Sequence, residues 1–254
     1  PSAAIRSTAE QLASLQIGPE VILTSCSKGI ERGTGKRMSE VISEILPDQP
    51  LAALSGPNHA EEVCKGLATM TVIGSANSYV SDYLQGLLTS PSFRCYTSDD
   101  LTGIEWGGAM KNIFAIASGI ATGLGLGDNA TAGLVTRGLA EMIRLGTALG
   151  GKPDTFTGLS GVGDLIATCY SHHSRNFRAG ISIGEGNTVE GTLKEAGMVV
   201  EGIPNCQSIY EVAQKSGVRT PLIDSIYRVL YENQPAAEAL RELLTRAPRP
   251  EVES

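Results

Sequence analysis

One long, almost uncharged segment restricts the fold of this chain more than any other feature. Residues 106–127 contain a single charged side chain, Lys111, among small and apolar residues that include six glycines. A segment of this length raises the question of a membrane-spanning helix. The glycines, the polar pair Lys111 and Asn112, and the lack of a flanking basic cluster favour a buried, closely packed helix instead. We therefore expect no membrane insertion.

The lysine in this segment has two explanations, and the sequence spacing favours neither. An ammonium group in apolar surroundings is desolvated, which lowers its pKa and lets it exchange protons near neutral pH. A general acid or base needs this property. Alternatively, Lys111 lies at a helix end, with its aliphatic stem on the core and its ammonium group in water.

Strand-like and helix-like patterns alternate before this segment, whereas helical patterns dominate after it. The predicted strands lie at residues 21–25, 51–55, 70–74 and 93–97. The predicted helices of the first part lie at residues 3–15, 36–46 and 78–88, and Asn58 is placed to cap a short helix that ends at Cys64. The predicted helices of the second part lie at residues 110–121, 130–149, 161–169, 176–184, 188–196, 203–216, 221–232 and 235–246.

This arrangement predicts an α/β plus all-α chain. Alternating strands and helices imply βα units and a largely parallel sheet. We predict a partial Rossmann-like parallel sheet in residues 1–104, followed by an all-helical C-terminal domain in residues 105–254. A doubly wound nucleotide-binding sheet has about six strands and a glycine-rich turn after the first. Only about four strands are predicted and no G-x-G-x-x-G occurs, so we expect the C-terminal half of such a domain.

Charge and cysteine content exclude several classes of function. The net charge is −7 and no basic run occurs, so we expect neither nucleic acid nor an anionic membrane as a partner. The five cysteines include no C-x-x-C pair, which favours reduced thiols in a cytoplasmic protein. No signal peptide is expected at the start of the chain. His172 and His173 lack a second ligand cluster, so no metal site is predicted.

Two positions at predicted strand ends are candidate ligand contacts. Ligands of α/β sheets gather in the crevice at the carboxyl ends of the strands. Lys28 follows the first predicted strand and is suited to an anionic substrate, although most loop lysines are simply solvated. Gly56 ends the second strand, where a glycine allows either close approach to a ligand or a tight turn.

The second part adds candidates for binding a phosphate group. Ser174, Arg175 and Asn176 open a predicted helix, and a helix start with a forked guanidinium group suits phosphate. An ordinary helix cap with an exposed arginine explains the same pattern. Asp164, in an apolar helical context, is suited either to pair with a buried lysine or to cap its helix. Together these residues indicate a small phosphorylated carbonyl or alcohol substrate.

An ordered series of motifs covers nearly the whole chain and resembles one enzyme family. The motifs are SKGIE at 27–31, SGPNHA at 55–60, GAMKN at 108–112, GIATGLGLGDNA at 119–130, TRG at 136–138, GLSGVGDL at 158–165, SRN at 174–176 and VVEG at 199–202. They resemble the NAD(P)-dependent glycerol-3-phosphate dehydrogenases of bacterial type.

The resemblance implies a reaction, a cofactor and a set of site residues. The reaction is the reversible reduction of dihydroxyacetone phosphate to sn-glycerol 3-phosphate with NADH or NADPH. This reaction supplies glycerol phosphate for phospholipid synthesis. The resemblance also implies a homodimer. Lys111 matches the family's proton donor and acceptor. The implied substrate contacts are Lys28, Gly56, Asn58, Lys111, Asp164, Ser174, Arg175 and Asn176. The implied cofactor contacts are Lys28, Ala60, Arg175, Val199 and Glu201.

Two departures from the family pattern leave alternatives to this function. Asn58 and His59 stand where the family usually has a small hydroxyl residue and an aromatic residue. The family's glycine-rich turn precedes the position equivalent to Pro1. One alternative is therefore a non-catalytic fragment that does not hold NAD(P)H, and another is a related two-domain dehydrogenase for a different hydroxy or keto substrate.

Overall fold

The computed structural model describes residues 1–197, 199–248 and 250–251 of the chain. After a 3-10 turn at Ser2–Ala4, helices and strands alternate as α1 (Ile5–Ser14), β1 (Leu23–Ser25), α2 (Met38–Ile45), β2 (Leu51–Ser55), α3 (Ala60–Val63), β3 (Thr69–Gly74), α4 (Ser78–Leu88) and β4 (Phe93–Ser98). The helices that follow are α5 (Leu101–Gly123), α6 (Gly127–Ala148), α7 (Pro153–Phe156), α8 (Asp164–Tyr170), α9 (Arg175–Gly184), α10 (Val189–Ala196), α11 (Gly202–Ser216), α12 (Pro221–Tyr231) and α13 (Ala236–Leu244). The predicted α/β plus all-α order is confirmed.

The sheet is mixed, which corrects one part of the parallel-sheet prediction. Its strands in the described residues lie in the order β1-β2-β3-β4. The outer pairs, β1–β2 and β3–β4, are parallel, but β2 and β3 are antiparallel, with Leu54 opposite Ile73. A parallel crossover normally needs a helix that carries the chain back along the sheet. The four-residue helix α3 rises only about 6 Å, so the chain re-enters the sheet in the opposite direction.

The two faces of the sheet pack against different helices. On one face, Val80 and Leu84 of α4 form a small core with Ile73 of β3. On the other face, Val72 of β3 packs with Ile104 of α5. The helix α5 therefore connects the sheet to the helical part of the molecule.

Most of the segment at residues 106–127 lies in a helix that is longer than predicted. Helix α5 starts at Leu101, where the Asp100 carboxylate accepts a hydrogen bond of 2.8 Å from Gly103 N. The helical prediction began only at residue 110 because Gly107 and Gly108 are poor helix formers, and burial overrides that weak preference. Every residue from Gly103 to Ala121 is buried. Among the described residues, no helix is both long enough and apolar enough to cross a membrane.

Glycines bring α5 and α9 into direct backbone contact, as predicted for a closely packed helix. A methyl group added to Gly180 of α9 would lie 2.2 Å from the carbonyl oxygen of Ile116 in α5. A methyl group added to Gly119 of α5 would lie 2.1 Å from the carbonyl oxygen of Phe177. This contact fixes the start of α9 beside the middle of α5.

Candidate active site

The carboxylate of Asp164 lies between two lysines from different parts of the chain. Lys111 Nζ, from the middle of α5, lies 2.6 Å from Asp164 Oδ1. Lys28 Nζ, from the loop after β1, lies 2.7 Å from Asp164 Oδ2. Asp164 is the first residue of α8, but its carboxylate accepts hydrogen bonds from side chains and not from the helix start. Of its two explanations, pairing with a buried lysine is confirmed and helix capping is wrong.

Lys111 is buried, so the explanation in which its ammonium group reaches water is wrong. Only 4% of the residue is exposed, and it lies in the middle of α5, not at its end. Burial lowers the pKa of Lys111 to about 8, although the Asp164 carboxylate opposes this effect. The nearby positive charge of Lys28 lowers the pKa further. A lysine with this pKa exchanges protons near neutral pH.

The two lysines keep the carboxylate between them ionised. Burial by itself would raise the pKa of Asp164, but the ammonium groups of Lys111 and Lys28 outweigh it and hold that pKa below its ordinary value. With both lysines protonated, the three charges sum to one net positive charge. Such a group stabilises negative charge that develops on a nearby oxygen.

Lys28 is held by three oxygen atoms. Besides Asp164 Oδ2, its Nζ lies 2.9 Å from the Gly56 carbonyl oxygen and 2.7 Å from Asn58 Oδ1. The contacts with Gly56 and Asn58 are hydrogen bonds, and the contact with Asp164 is an ion pair. Asn58 Nδ2 in turn donates to Thr71 Oγ1 at 3.1 Å.

The hydrogen bond between Lys28 and Asn58 explains why the predicted cap of α3 is wrong. The residue in the cap position is His59, not Asn58, and α3 starts at Ala60. The Asn58 oxygen accepts a hydrogen bond from the charged Lys28. Bonds to a charged donor are roughly twice as strong as neutral ones, so this contact competes well against a neutral cap.

Thr168 completes the surroundings of Lys111 and is a site residue that was not predicted from the sequence. Its hydroxyl donates to the Asp164 carbonyl oxygen at 2.6 Å and therefore accepts from Lys111 Nζ at 2.7 Å. Lys111 thus uses two donors and keeps one N–H without an acceptor among the described residues. The signal for Thr168 was its position four residues after Asp164, on the same face of α8.

A chain of amide side chains links the helices to the loop after β1. Asn112 Nδ2 donates to the Lys28 carbonyl oxygen at 3.0 Å, and Asn112 Oδ1 accepts from Asn176 Nδ2 at 2.9 Å. Asn176 Oδ1 accepts from Gly202 N at 2.8 Å. The amide of Asn176 is therefore engaged in fixing α5, α9 and α11 together.

The start of α9 combines a capped helix with an exposed arginine. Ser174 Oγ accepts a hydrogen bond of 3.2 Å from Phe177 N, as in an ordinary N-cap. Arg175 is exposed, and its Nη1 donates to the Val199 carbonyl oxygen at 3.1 Å.

Most of the predicted site residues line one cleft of about 530 Å³. Those on its walls are Lys28, Asn58, Ala60, Lys111, Ser174, Arg175, Asn176, Val199 and Glu201. Gly56 and Asp164 lie behind the wall, each bonded to Lys28. Residues on the walls that the prediction left out are Pro1, Cys26, Ser27, His59, Glu61, Asn112, Thr168 and His173.

The cleft has the size of a small-molecule binding site. Its volume falls within the range of small-molecule sites, roughly 300–1,000 Å³, and all five predicted cofactor contacts lie on its walls. The Glu201 carboxylate there is oriented by Ser2, whose hydroxyl donates to it at 2.7 Å. Within the described ranges, no group of three or more His, Cys, Asp or Glu side chains is arranged to hold a metal ion.

Comparison with family models and curated proteins gives a consistent match. The model for the N-terminus of NAD-dependent glycerol-3-phosphate dehydrogenase matches residues 1–81, and the model for its C-terminus matches residues 100–241. The glycerol-3-phosphate dehydrogenase (NAD(P)+) of Desulfitobacterium hafniense is 46% identical over 253 residues, which cover 100% of this chain and 72% of that protein. The enzyme of the same name from Clostridium perfringens is 49% identical over 246 residues, which cover 97% of this chain and 74% of that protein.

Solved structures agree with these matches. The glycerol-3-phosphate dehydrogenase of Coxiella burnetii superposes with a TM-score of 0.93 at 39% identity, over 97% of this chain and 75% of that one. A structure of the Dunaliella salina protein DsGPDH superposes with a TM-score of 0.87 at 29% identity, over 95% of this chain and 43% of that one.

Proposed function

Because this chain belongs to the NAD-dependent glycerol-3-phosphate dehydrogenase family, we propose that Lys111 is the acid and base of its reaction. The chain is an oxidoreductase that uses NAD or NADP and interconverts dihydroxyacetone phosphate and sn-glycerol 3-phosphate. The comparisons do not support the alternatives of a non-catalytic fragment or of a different substrate. We divide the chain into the C-terminal half of a Rossmann-like dinucleotide-binding domain at residues 1–104 and a helical substrate and catalytic domain at residues 105–254, with cofactor contacts from both.

The surroundings of Lys111 carry this proposal. A group with a pKa of about 8 is mostly protonated at neutral pH, so Lys111 donates a proton to the oxygen of the carbonyl as it is reduced. In the reverse direction, its neutral form accepts the proton of the alcohol. The N–H that Lys111 does not share with Asp164 or Thr168 is the one available for this transfer. The cofactor, when bound, supplies the hydride.

The carboxylate and the second lysine support Lys111 in this role. Asp164 orients both ammonium groups through bonds of 2.6 and 2.7 Å. The positive charge of Lys28 favours negative charge on the reacting oxygen. We assign Lys28 to both substrate and cofactor contact, and Gly56 and Asn58 to the substrate side of the same loop.

The start of α9 is the proposed phosphate site. Arg175 offers a planar fork of donors, and the backbone N–H groups at a helix start favour anions. Ser174 and Asn176 fix the geometry of this start through their own hydrogen bonds. We assign Ser174, Arg175 and Asn176 to the substrate. The proposed cofactor contacts are Lys28, Ala60, Arg175, Val199 and Glu201.

The test is the substitution Lys111→Met, which removes the ammonium group and keeps the apolar stem. We expect kcat to fall by about 10²–10⁴-fold, while NADH binding, followed by cofactor fluorescence, stays within about threefold of the wild-type value. Lys152→Met is the matched control, because Lys152 is exposed and pairs only with Asp99 in the described structure. Turnover like that of the wild type in Lys111→Met would refute the acid and base assignment.

We also propose a homodimer in the cytoplasm that supplies glycerol phosphate for phospholipid synthesis. The family resemblance supports this assignment. Sedimentation equilibrium should give twice the chain mass of 26.6 kDa, and a single-chain mass would contradict the dimer. Recovery with the membrane pellet after cell fractionation would contradict the location. Cells without the protein should need added glycerol 3-phosphate for growth.

A further inference from the structure

We propose that Asn205 is a positioning residue that fixes the loop after β1 against the helices and thereby sets where the Lys28 ammonium group lies beside Asp164. The proposal rests on the function assigned above, because it concerns the surroundings of Lys111. Asn205 is only 1% exposed and does not line the cleft, so it acts on the reaction through Lys28 and not by touching the substrate.

Three consecutive residues of the loop meet the side chain of Asn205. Its Nδ2 donates to the Lys28 carbonyl oxygen at 3.1 Å, and its Oδ1 accepts from Ile30 N at 3.4 Å. Between these two bonds, a methyl group added to Gly29 would lie 2.8 Å from Asn205 Oδ1. One side-chain amide therefore fixes both the position and the orientation of the backbone from residue 28 to residue 30.

A second amide acts on the same carbonyl group. Asn112 Nδ2, from α5, donates to the Lys28 carbonyl oxygen at 3.0 Å, so this oxygen accepts bonds from α5 and from α11. A carbonyl oxygen has two lone pairs, and both are used. Asn112 alone fixes one atom, about which the peptide can still turn. Asn205 adds the second bond to Lys28 and the bond to Ile30, which fix the orientation.

The orientation of this peptide matters because the Lys28 side chain starts from it. The ammonium group at its end reaches Asp164 Oδ2 at 2.7 Å and contributes to the low pKa of Lys111. If the loop moves, Lys28 withdraws from Asp164 and the like charge beside Lys111 is lost. The pKa of Lys111 then rises.

Other groups around Lys111 stay in place when Asn205 is changed. The titratable groups that face Lys111 are Asp164 and Cys169 on α8, together with Lys28. Burial raises the pKa of Cys169 to about 12, so this thiol stays neutral over the range of interest. The other charged or titratable side chains on the cleft walls are Cys26, His59, Glu61, His173, Arg175 and Glu201. None of these has a described hydrogen bond or ion pair with Asn205.

The test substitutes Asn205→Ala and measures two quantities in the protein. The first is the pH at which kcat for carbonyl reduction falls to half, which we expect to rise by about half a unit or more. The second is hydrogen exchange at the Ile30 amide, which we expect to become at least about tenfold faster because the amide loses its acceptor. Asn205→Thr keeps one hydroxyl donor. In this variant the pH midpoint and the Ile30 exchange rate should both lie between those of Asn205→Ala and the wild type.

The control is Val80→Ala in α4. Val80 is buried in the small core between α4 and the sheet, which contains no residue of the loop after β1, so this variant should lose stability without moving the pH midpoint. If Asn205→Ala loses stability but keeps the wild-type pH midpoint and Ile30 exchange rate, Asn205 is only structural and the proposal is overturned. If Asn205→Ala does not fold, Asn205→Thr decides in the same way. Failure of the Lys111 assignment is distinct, because it appears as normal turnover in Lys111→Met and leaves Ile30 exchange unaffected.

Discussion

The loop after β1 and the middle of α5 each bring a lysine to the same carboxylate, but the two regions treat the ammonium group differently. The side chain of Lys28 is 19% exposed, and its ammonium group makes two hydrogen bonds and one ion pair. The side chain of Lys111 is 5% exposed, with two donors engaged and a pKa lowered to about 8. The same residue type is therefore partly exposed in the loop and buried in α5, where we propose that it transfers a proton.

The difference arises from the elements on which the two lysines lie. The loop at the end of a strand offers carbonyl and amide oxygens, such as those of Gly56 and Asn58, which satisfy an ammonium group locally. The middle of α5 has its backbone oxygens engaged within the helix and is surrounded by other helices. There Lys111 depends on two side-chain oxygens of α8, those of Asp164 and Thr168.

Asp164→Asn removes the carboxylate that both lysines contact. Of the substitutions considered, it should cause the largest loss of stability. It leaves two ammonium groups beside a neutral amide, one of them buried. Removing one partner of a buried ion pair costs about 3–5 kcal/mol, so urea unfolding at neutral pH should show a loss of this size. Asp99→Asn is the control, because the Asp99–Lys152 pair is exposed and screened by water, so its loss should change the stability little. Equal effects of the two substitutions would show that the buried pair has no special role in stability.

Gly180→Ala disturbs the packing of α9 against α5 without changing a charge. It therefore tests how far the position of Lys111 depends on this packing. The added methyl group would lie 2.2 Å from the Ile116 carbonyl oxygen, so α9 must move away from α5. Overpacking of this kind costs about 1–3 kcal/mol, measured as a loss of unfolding free energy.

A matched glycine in the sheet part provides the control for this prediction. Gly86 lies inside α4, and a methyl group added there meets nothing within 4 Å. Gly86→Ala should therefore stabilise the protein by about 0.5–1 kcal/mol, since alanine favours a helix more than glycine does. A loss of stability in Gly86→Ala as large as that in Gly180→Ala would contradict the role of backbone contact.

The pH dependence of kcat tests the proton transfer that we propose for Lys111. Burial lowers the pKa of Lys111 to about 8. Reduction requires the protonated form, so its kcat should fall about tenfold per pH unit above this value, which equals about 1.4 kcal/mol per unit. Oxidation requires the neutral form, so its kcat should rise with pH and level off above about pH 8. Steady-state rates in both directions measure these limbs.

The Lys28→Met variant distinguishes the two lysines in the same experiment. Loss of the Lys28 charge raises the pKa of Lys111, so both limbs should move to higher pH. Limbs that stay in place in Lys28→Met and persist in Lys111→Met would assign the titration to another group.

The sequence predicted the order of elements and the unusual setting of Lys111 because both depend on local pattern. Apolar periodicity located α4 at its observed bounds, and the uncharged segment around Lys111 indicated burial before any contact was known. Pairing of Asp164 with a lysine was one of two open explanations, because local pattern does not say which distant side chain faces a carboxylate.

The missed features depend on contacts between distant parts of the chain. Asn205 and Lys28 are separated by 177 positions, and nothing near either residue in the sequence indicates their bond. The antiparallel pairing of β2 with β3 depended on the short length of α3, which the predicted helix up to Cys64 overstated. The start of α5 was missed because burial stabilises a glycine-rich turn that has little helix propensity of its own.

Because three oxygens already surround the Lys28 ammonium group, a ligand must compete with them to bind there. Any new acceptor must displace the carboxylate of Asp164, the carbonyl of Gly56 or the amide of Asn58. A neutral carbonyl or hydroxyl that replaces a neutral oxygen gains little, because one bond is exchanged for a similar one. A phosphate oxygen also carries negative charge, so it adds an ion-pair attraction to the ammonium group that the oxygens of Gly56 and Asn58 lack. The loop after β1 therefore favours anionic small molecules over neutral ones of similar shape.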